Sequence, residues 1–416
     1  MFIEIEGGKS ASGDLEIQGS KNAALPIIAA AILTKEPVVL AHCPKIQDVY
    51  AMIAMLRSIG VNVWWDEDAL VIHAEHIRCC KVTEPMAGEI RASVLFLGAL
   101  LGRCGQAGIC MPGGCSIGAR PIDFHMSAFS EMGVSVSVTE EEIWCEATTS
   151  GAQRVRLPYP SVGATENVIL YAVLGSGRII VDNVAKEPEI QELCRFLRSM
   201  GARIRGEGTG RIEIIGVREL HSTVYQLPAD RIVFLTYAAV VAATCGNVFL
   251  QTYGQCFPAE CMYLEKIGCR LRTSSEGIWI WRKDELRSIP YVRTGPYPRF
   301  PTDAQSLFLA LMTRGNGKST IEESVFENRF LVVSQLQKMG AEVEVEGQCA
   351  YVQGVERLRG ASVVATDLRS GAALMVAGTM AEGTTVIDKC HFILRGYEWP
   401  VECLQRLGLG ARYRCE

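Results

Sequence analysis

Several features are missing from this 416-residue sequence. No apolar run approaches the ~20 residues that a membrane-spanning helix needs. The nearest candidates, 23–33 and 235–244, have the length of buried helices. Sixteen cysteines and six histidines include no C-x-x-C pair and no H-x-x-x-H pair, so the usual spacings of a zinc site are lacking. Positive charge is not in excess: 41 Lys and Arg stand against 46 Asp and Glu, for a net charge of −5. That argues against a nucleic-acid binder, although a local basic patch can sit within an acidic total. The first residues, Met1-Phe2-Ile3-Glu4-Ile5-Glu6, alternate like a strand. They show no basic segment followed by an apolar one, so no signal peptide is expected and the location is expected to be cytoplasmic. In that compartment the cysteines should be mostly reduced and buried as small apolar residues.

The remaining composition is that of a globular protein, 49% hydrophobic and 21% charged. The length exceeds one ordinary hydrophobic core, so two domains are expected. A six-fold repeat supports this. A helix end followed by glycine recurs at Gly60, Gly133, Gly201, Gly268, Gly340 and Gly408, at spacings of 73, 68, 67, 72 and 68 residues. Glycine just beyond a helix is the usual left-handed cap. Alternating strands follow, as in Val134-Ser135-Val136-Ser137-Val138 and Ala341-Glu342-Val343-Glu344-Val345, with a second strand after a turn. Upstream of each glycine lies a helix that is apolar on most faces, over 22–33, 92–101, 164–174, 232–243, 304–311 and 371–380. Such helices are expected to be buried.

Each unit reads strand–helix–strand–helix–strand–strand. The expected fold is α/β, with two inside-out barrel-like domains of three repeats each, sheets outside and helices inside. One domain is expected over 20–228 and the other over 1–19 plus 229–416. The first strand would complete the last repeat of the second domain. The chain would then cross twice, making a hinge near 19–21 and 228–230, and hinged domains close over ligands.

Two features point to chemistry. The first is the stretch Pro112-Gly113-Gly114-Cys115-Ser116-Ile117-Gly118-Ala119-Arg120-Pro121-Ile122-Asp123, which lacks helical or strand periodicity. Its glycines permit close backbone approach to a ligand, and Arg120 near Cys115 would favour the thiolate. An ordinary surface loop is the competing reading. The second is the set of cations at the starts of the buried helices: Lys21, Arg91, Arg231 and Arg369. Cations are disfavoured at the positive end of a helix dipole, so anion binding is the natural reason for them. Pairing with nearby carboxylates is the alternative.

Six motifs carry a resemblance over essentially the whole chain. They are Gly19-Ser20-Lys21-Asn22-Ala23-Ala24-Leu25-Pro26, the Pro112–Asp123 stretch, Ser161-Val162-Gly163-Ala164-Thr165, Pro301-Thr302-Asp303, Val325-Phe326-Glu327-Asn328-Arg329-Phe330 and Arg395-Gly396-Tyr397-Glu398. In this order they resemble the UDP-N-acetylglucosamine 1-carboxyvinyltransferases of the enolpyruvyl transferase family. The resemblance implies the inside-out barrel pair. It also implies a reaction in which the sugar 3-hydroxyl of UDP-N-acetylglucosamine attacks C2 of phosphoenolpyruvate, C3 is protonated, and phosphate leaves. This would be the first committed step of peptidoglycan synthesis, and hence of cell-wall biogenesis.

The resemblance also implies roles. Lys21, Arg120 and Arg395 would hold the phosphate. Arg329 and Arg369 would lie near the carboxylate of phosphoenolpyruvate, with Arg91 in the same region. Cys115 would donate the proton to C3, form a covalent adduct, and be the thiol alkylated by the epoxide fosfomycin. Asp303 would accept the sugar hydroxyl's proton. Asn22 and the Val325 backbone would touch the sugar. Arg120, Pro121, Asp123, Ser161, Val162 and Gly163 would hold the uridine and diphosphate. No metal or redox cofactor is implied. The partners would be the two small substrates, with no nucleic acid and no membrane, and the protein is expected to be a monomer. Three places depart from the family pattern: Val233-Phe234-Leu235 after Asp230-Arg231-Ile232, Leu394 before Arg395, and Tyr159-Pro160 before Ser161. They keep open a diverged paralogue: a weakly active nucleotide-sugar-binding regulator, or a transferase for another nucleotide sugar.

Overall fold

A computed structural model describes residues 1–83, 86–112, 122–148 and 153–414. They form two compact units. One joins Met1–Gln18 to the chain from Ala229 onward; the other comprises the described residues between Gly19 and Pro228. Each has its own apolar core.

Each unit is built from three four-stranded sheets with helices between them. One pattern recurs in four of the six sheets. The strand before a buried helix pairs in parallel with the strand after it, as Arg154–Arg156 does with Arg178–Asp182 and Tyr291–Arg293 with Lys318–Glu322. Two further strands then add antiparallel, such as Arg211–Ile215 and Arg203–Arg205. Parallel strands need a crossover, and the buried helix supplies it. Three sheets recruit a strand distant in sequence, the first by pairing Ser12–Glu16 in parallel with Asn247–Gln251. Thr223–Gln226 pairs with Pro37–Ala41, and Phe2–Glu6 lies between Thr384–Asp388 and Gly410–Arg414.

The buried helices are Lys21–Ala30, Leu95–Cys104, Val162–Ala172, Arg231–Ala243, Thr302–Met312 and Leu368–Met380. Every residue from Arg231 to Ala242 is buried, because apolar residues occupy all faces of that helix and sheet or helix surrounds it. The six repeat glycines all take positive φ, between 78° and 102°, a conformation in which a Cβ would be strained. They close the second helix of each repeat and turn the chain into its outer strands.

Two expectations are corrected. The second buried helix begins later than residue 92. Ile90 offers no capping side chain, so Arg91–Val94 forms a 3₁₀ turn before the α-helix at Leu95. The cysteines are less buried than expected. Only Cys43, Cys145, Cys194, Cys269 and Cys390 are buried among the 14 described, while Cys79, Cys245 and Cys256 are exposed. All 14 are free thiols. No described helix is long and apolar enough to cross a membrane.

Candidate active site

In the unit between Gly19 and Pro228, Ser20 caps the first buried helix, its Oγ accepting from Ala23 N at 3.3 Å. Lys21 opens that helix, and its Nζ lies 2.8 Å from Asp48 Oδ2. Asp48 is buried in the first turn of helix Gln47–Ser58, so the counter-charge comes from a second helix. Asn22 follows Lys21 and is half-buried. Ser161 caps the third buried helix through Ala164 N at 3.4 Å, and its carbonyl accepts from Thr165 Oγ1 at 2.7 Å. Ser161, Val162 and Gly163 are all half-buried at this helix start, where unsatisfied N–H groups favour an anion. Tyr159, just upstream, stacks on Phe124 at 6.1 Å. Asp123 is exposed and opens helix Asp123–Glu131, where its charge suits the helix dipole.

Arg91 and the Ser161–Gly163 segment are linked by two residues that the sequence did not single out. Asn167 Nδ2 lies 2.7 Å from His125 Nδ1 and donates to Val94 O at 3.1 Å. Its Oδ1 accepts from Gly98 N at 2.8 Å. Those three bonds fix the amide orientation, so His125 Nδ1 is an acceptor and the ring proton sits on Nε2. The ring abuts Gly163, where a Cβ would stand 3.0 Å from His125 Cε1. Burial, with Arg91 adding repulsion, pulls the pKa of His125 down to about 4. The imidazole is therefore neutral at physiological pH. Gly98 lets the second and third buried helices approach, since a Cβ there would meet Asn167 O at 2.5 Å.

The other unit holds a tighter cluster. Asp303 lies in the first turn of helix Thr302–Met312. Arg329 Nη2 donates to its Oδ1 at 2.7 Å, and Arg369 Nη2 is 3.3 Å from its Oδ2. The two arginine side chains are only 3% and 6% exposed, whereas that of Asp303 is 27% exposed. Burial alone would raise the Asp303 pKa. Arg369, then Arg329, and more weakly Arg231, outweigh it and hold the carboxyl far below the usual range. Arg231 in turn lies 3.0 Å from Glu260. Asp230 and Asp367 cap their helices: Asp230 accepts from Ile232 N and Val233 N, and Asp367 from Arg369 N and Ser370 N.

Two loops complete this region. Glu323, 1% exposed, accepts from Val325 N at 2.7 Å, Phe326 N at 3.2 Å, and the hydroxyls of Thr294 and Thr302, both at 2.8 Å. It ties the Val325 segment to the helix that carries Asp303. Its signal in the sequence, one Glu of a Glu322-Glu323 pair after a strand, is that of a surface residue. Gln18 fixes the Arg395 loop by donating to Gly396 O at 3.1 Å and accepting from Glu398 N at 2.7 Å. Tyr397 is buried within that loop, its hydroxyl 2.7 Å from Thr236 Oγ1. Arg395 and Leu394 are half-buried. The divergent Val233, Phe234 and Leu235 lie in the core, with Phe234 against Phe257 at 4.8 Å.

The structure thus brings Asp303, Arg329 and Arg369 into direct contact, sets Gly163 against His125 and places Arg91 near enough for its charge to act on that ring. Cys115, Arg120 and Pro121 lie outside the described residues. Among the described thiols, Cys145, Cys194, Cys261 and Cys269 are each pushed up to about 12, with burial as the main cause, so none is a thiolate at neutral pH. Among the described residues no three His, Cys, Asp or Glu side chains are placed to hold a metal ion.

A family model described as EPSP synthase (3-phosphoshikimate 1-carboxyvinyltransferase) matches residues 5–404. The UDP-N-acetylglucosamine 1-carboxyvinyltransferase of Thermotoga petrophila is 42% identical over 99% of this chain and 98% of its own. UDP-N-acetylglucosamine 1-carboxyvinyltransferase 2 of Caldanaerobacter subterraneus subsp. tengcongensis is 39% identical over 98% of each. Among solved structures, the enolpyruvyl transferase NikO from Streptomyces tendae superposes with a TM-score of 0.89 at 22% identity, over 99% of this chain and 98% of that one. An EPSP synthase from Acinetobacter baumannii gives 0.76 at 18% identity, over 99% of both chains. At these identities the two structures establish the fold alone.

Proposed function

The chain belongs to the EPSP synthase family of enolpyruvyl transferases, and from that premise we propose that it transfers the enolpyruvyl group of phosphoenolpyruvate to the 3-hydroxyl of UDP-N-acetylglucosamine, releasing phosphate. The observation that carries this reading is identity near 40% over the whole chain to relatives of that name. The product would commit the sugar to peptidoglycan synthesis, in the cytoplasm.

The residues divide the work according to charge. The substrate brings a phosphate and a carboxylate. Lys21, Arg120 and Arg395 take the phosphate, which must leave as an anion; Arg329, Arg369 and Arg91 serve the carboxylate end. As C3 of phosphoenolpyruvate gains a proton from Cys115, C2 becomes electron-poor. The sugar oxygen attacks C2 while its proton passes to Asp303. In the resulting tetrahedral intermediate, loss of a proton from the former C3 and expulsion of phosphate restore the double bond. Asn22 and the Val325 backbone orient the sugar, and Asp123 with the Ser161–Gly163 helix start holds the nucleotide. Their contribution is positioning and fixed electrostatics.

The bonding around Asp303 adds a requirement. A carboxylate chelated by two arginines is a weak base. When the carboxylate of phosphoenolpyruvate engages Arg329 and Arg369, it takes over part of that chelation, and Asp303 gains basicity as the substrate arrives.

The test is phosphate release from purified protein with both substrates at saturation. Release above a no-enzyme control that depends on both substrates is expected; no release overturns the reading. Cys115→Ser should also abolish covalent labelling by fosfomycin. Labelling that persists in the variant would overturn the role given to this thiol.

A further inference from the structure

The repeat architecture supplies an internal control for surface charge, since six four-stranded sheets with the same strand order each present an outer face. The strands of five sheets carry at most two Lys or Arg apiece: none, Lys81 alone, Arg270 with Arg272, Arg293 with Lys318, and Arg412 with Arg414. The sixth carries six, all arginine: Arg154, Arg156, Arg178, Arg203, Arg205 and Arg211. The pairing register places them on one face. Arg154 lies opposite Ile180, which faces Glu213, which faces Arg205; Arg156 lies opposite Asp182, which faces Arg211; and Ile215 stands between Arg178 and Arg203. All six arginines are exposed.

The face holds two carboxylates, and both lie beneath the arginines. Asp182 is 2.6 Å from both Arg154 and Arg211, and Glu213 is 2.6 Å from Arg178 and 2.9 Å from Arg205. The carboxylate side chains are 9% and 14% exposed, while the four arginines are 57–73% exposed. The negative charge is covered and the guanidinium groups form the surface. Six arginines against two carboxylates leave a net +4 on one sheet face of a chain whose total is −5.

We infer that this face docks an acidic polypeptide. The chemistry favours carboxylate groups carried on protein. The face already chelates carboxylates in the forked geometry that suits guanidinium, with Arg205 bonding both oxygens of Glu213 at 2.9 and 3.0 Å. Alternate residues of a strand are ~6.6–6.8 Å apart, so an extended acidic segment presents carboxylates at the pitch of the arginine rows. Ile215, 39% exposed, offers apolar contact among the charges, and arginine is enriched at protein interfaces. No aromatic residue lies on these strands, so the stacking platform of a single-stranded nucleic-acid site is missing. The inference is independent of the catalytic reading, because none of these arginines belongs to the proposed site.

The test uses the full chain and a fluorescent 16-residue peptide of alternating Glu and Thr, with binding read by anisotropy at low salt. Saturable binding is expected, weakening steeply as salt rises. Arg156→Gln combined with Arg203→Gln should weaken it at least tenfold while leaving phosphate release unchanged, which also reports that the variant folds. Arg178→Gln combined with Arg205→Gln should act alike, and Arg270→Gln with Arg272→Gln should leave the affinity as it was. The inference is overturned by no binding, or by equal affinity in the first two variants. It is equally overturned if a single-stranded oligonucleotide of matched charge, or vesicles of phosphatidylglycerol, bind more tightly through these arginines.

Discussion

The two units place arginine beside a titratable side chain to opposite ends. Between Gly19 and Pro228, burial and then Arg91 keep His125 neutral, with its pKa near 4. In the other unit, Arg369 and Arg329 overcome the burial of Asp303 and keep it ionised. The caps differ in the same sense. Ser20 and Ser161 are neutral caps, whereas Asp230 and Asp367 are charged ones. One repeat scaffold thus carries two electrostatic designs. The first sets Lys21, paired with Asp48, behind the neutral cap Ser20, and Arg91 at a start with no capping side chain. The second packs arginines and carboxylates into a nearly closed set in which an incoming anion must compete. Neither group titrates near neutrality.

The largest effect should come from Asp303. Asp303→Asn removes the proposed proton acceptor and leaves Arg329 and Arg369 without their shared carboxylate. A loss in kcat of about 10²- to 10⁴-fold is expected, with no recovery at higher pH, because the parent carboxylate is already ionised over the whole working range. A variant that keeps kcat within about tenfold of the parent would break the comparison, since the charged group would then be structural only.

A smaller effect, in stability, tests the neutral member. An unfolded histidine takes its proton near 6.5, while folded His125 takes it near 4. Between those pH values the unfolded state binds one more proton, so stability falls as pH falls and is unaffected above the window. The loss is about 1.4 kcal/mol per pH unit, roughly 3 kcal/mol in all. Urea denaturation of the parent and of His125→Gln at about pH 7 and about pH 4 isolates it. The parent should lose about 3 kcal/mol more than the variant over that span. Equal losses would show that His125 is not held neutral by the fold.

Much of the fold was legible because the repeat exposes it. Glycine at each helix end and apolar inner helices are local signals that recur six times, and clear alternating outer strands follow five of the six glycines. The pairing of Phe2–Glu6 with the last repeat follows from counting strands per unit. The site was legible only in part. The cations at helix starts stood out because they oppose the dipole, but their counter-charges did not. Asp48 and Glu260 are 27 and 29 residues from Lys21 and Arg231, in other helices, and only tertiary packing brings them near. His125, Asn167 and Glu323 were missed for a related reason. Each acts through several backbone or ring contacts from different elements, and nothing in its sequence neighbourhood separates it from an ordinary polar residue.

The caps give the smallest effect and the finest test of the two designs. Ser161 Oγ reaches one N–H, at 3.4 Å, a long bond from a neutral acceptor. Asp367 takes two N–H groups at 2.9 and 3.1 Å, and Ser370 Oγ accepts in return from Asp367 N at 2.9 Å. Its carboxylate is also 3.9 Å from Arg329. Ser161→Ala should therefore cost about 0.5 kcal/mol, at the low end for caps, and Asp367→Ala about 2 kcal/mol. Thermal or urea unfolding of both variants measures the difference. High salt should narrow it, because only the aspartate cap draws on charge. Equal costs would mean that the aspartate caps serve hydrogen bonding alone, and that the arginines of this unit take their balance from Asp303 and Glu260.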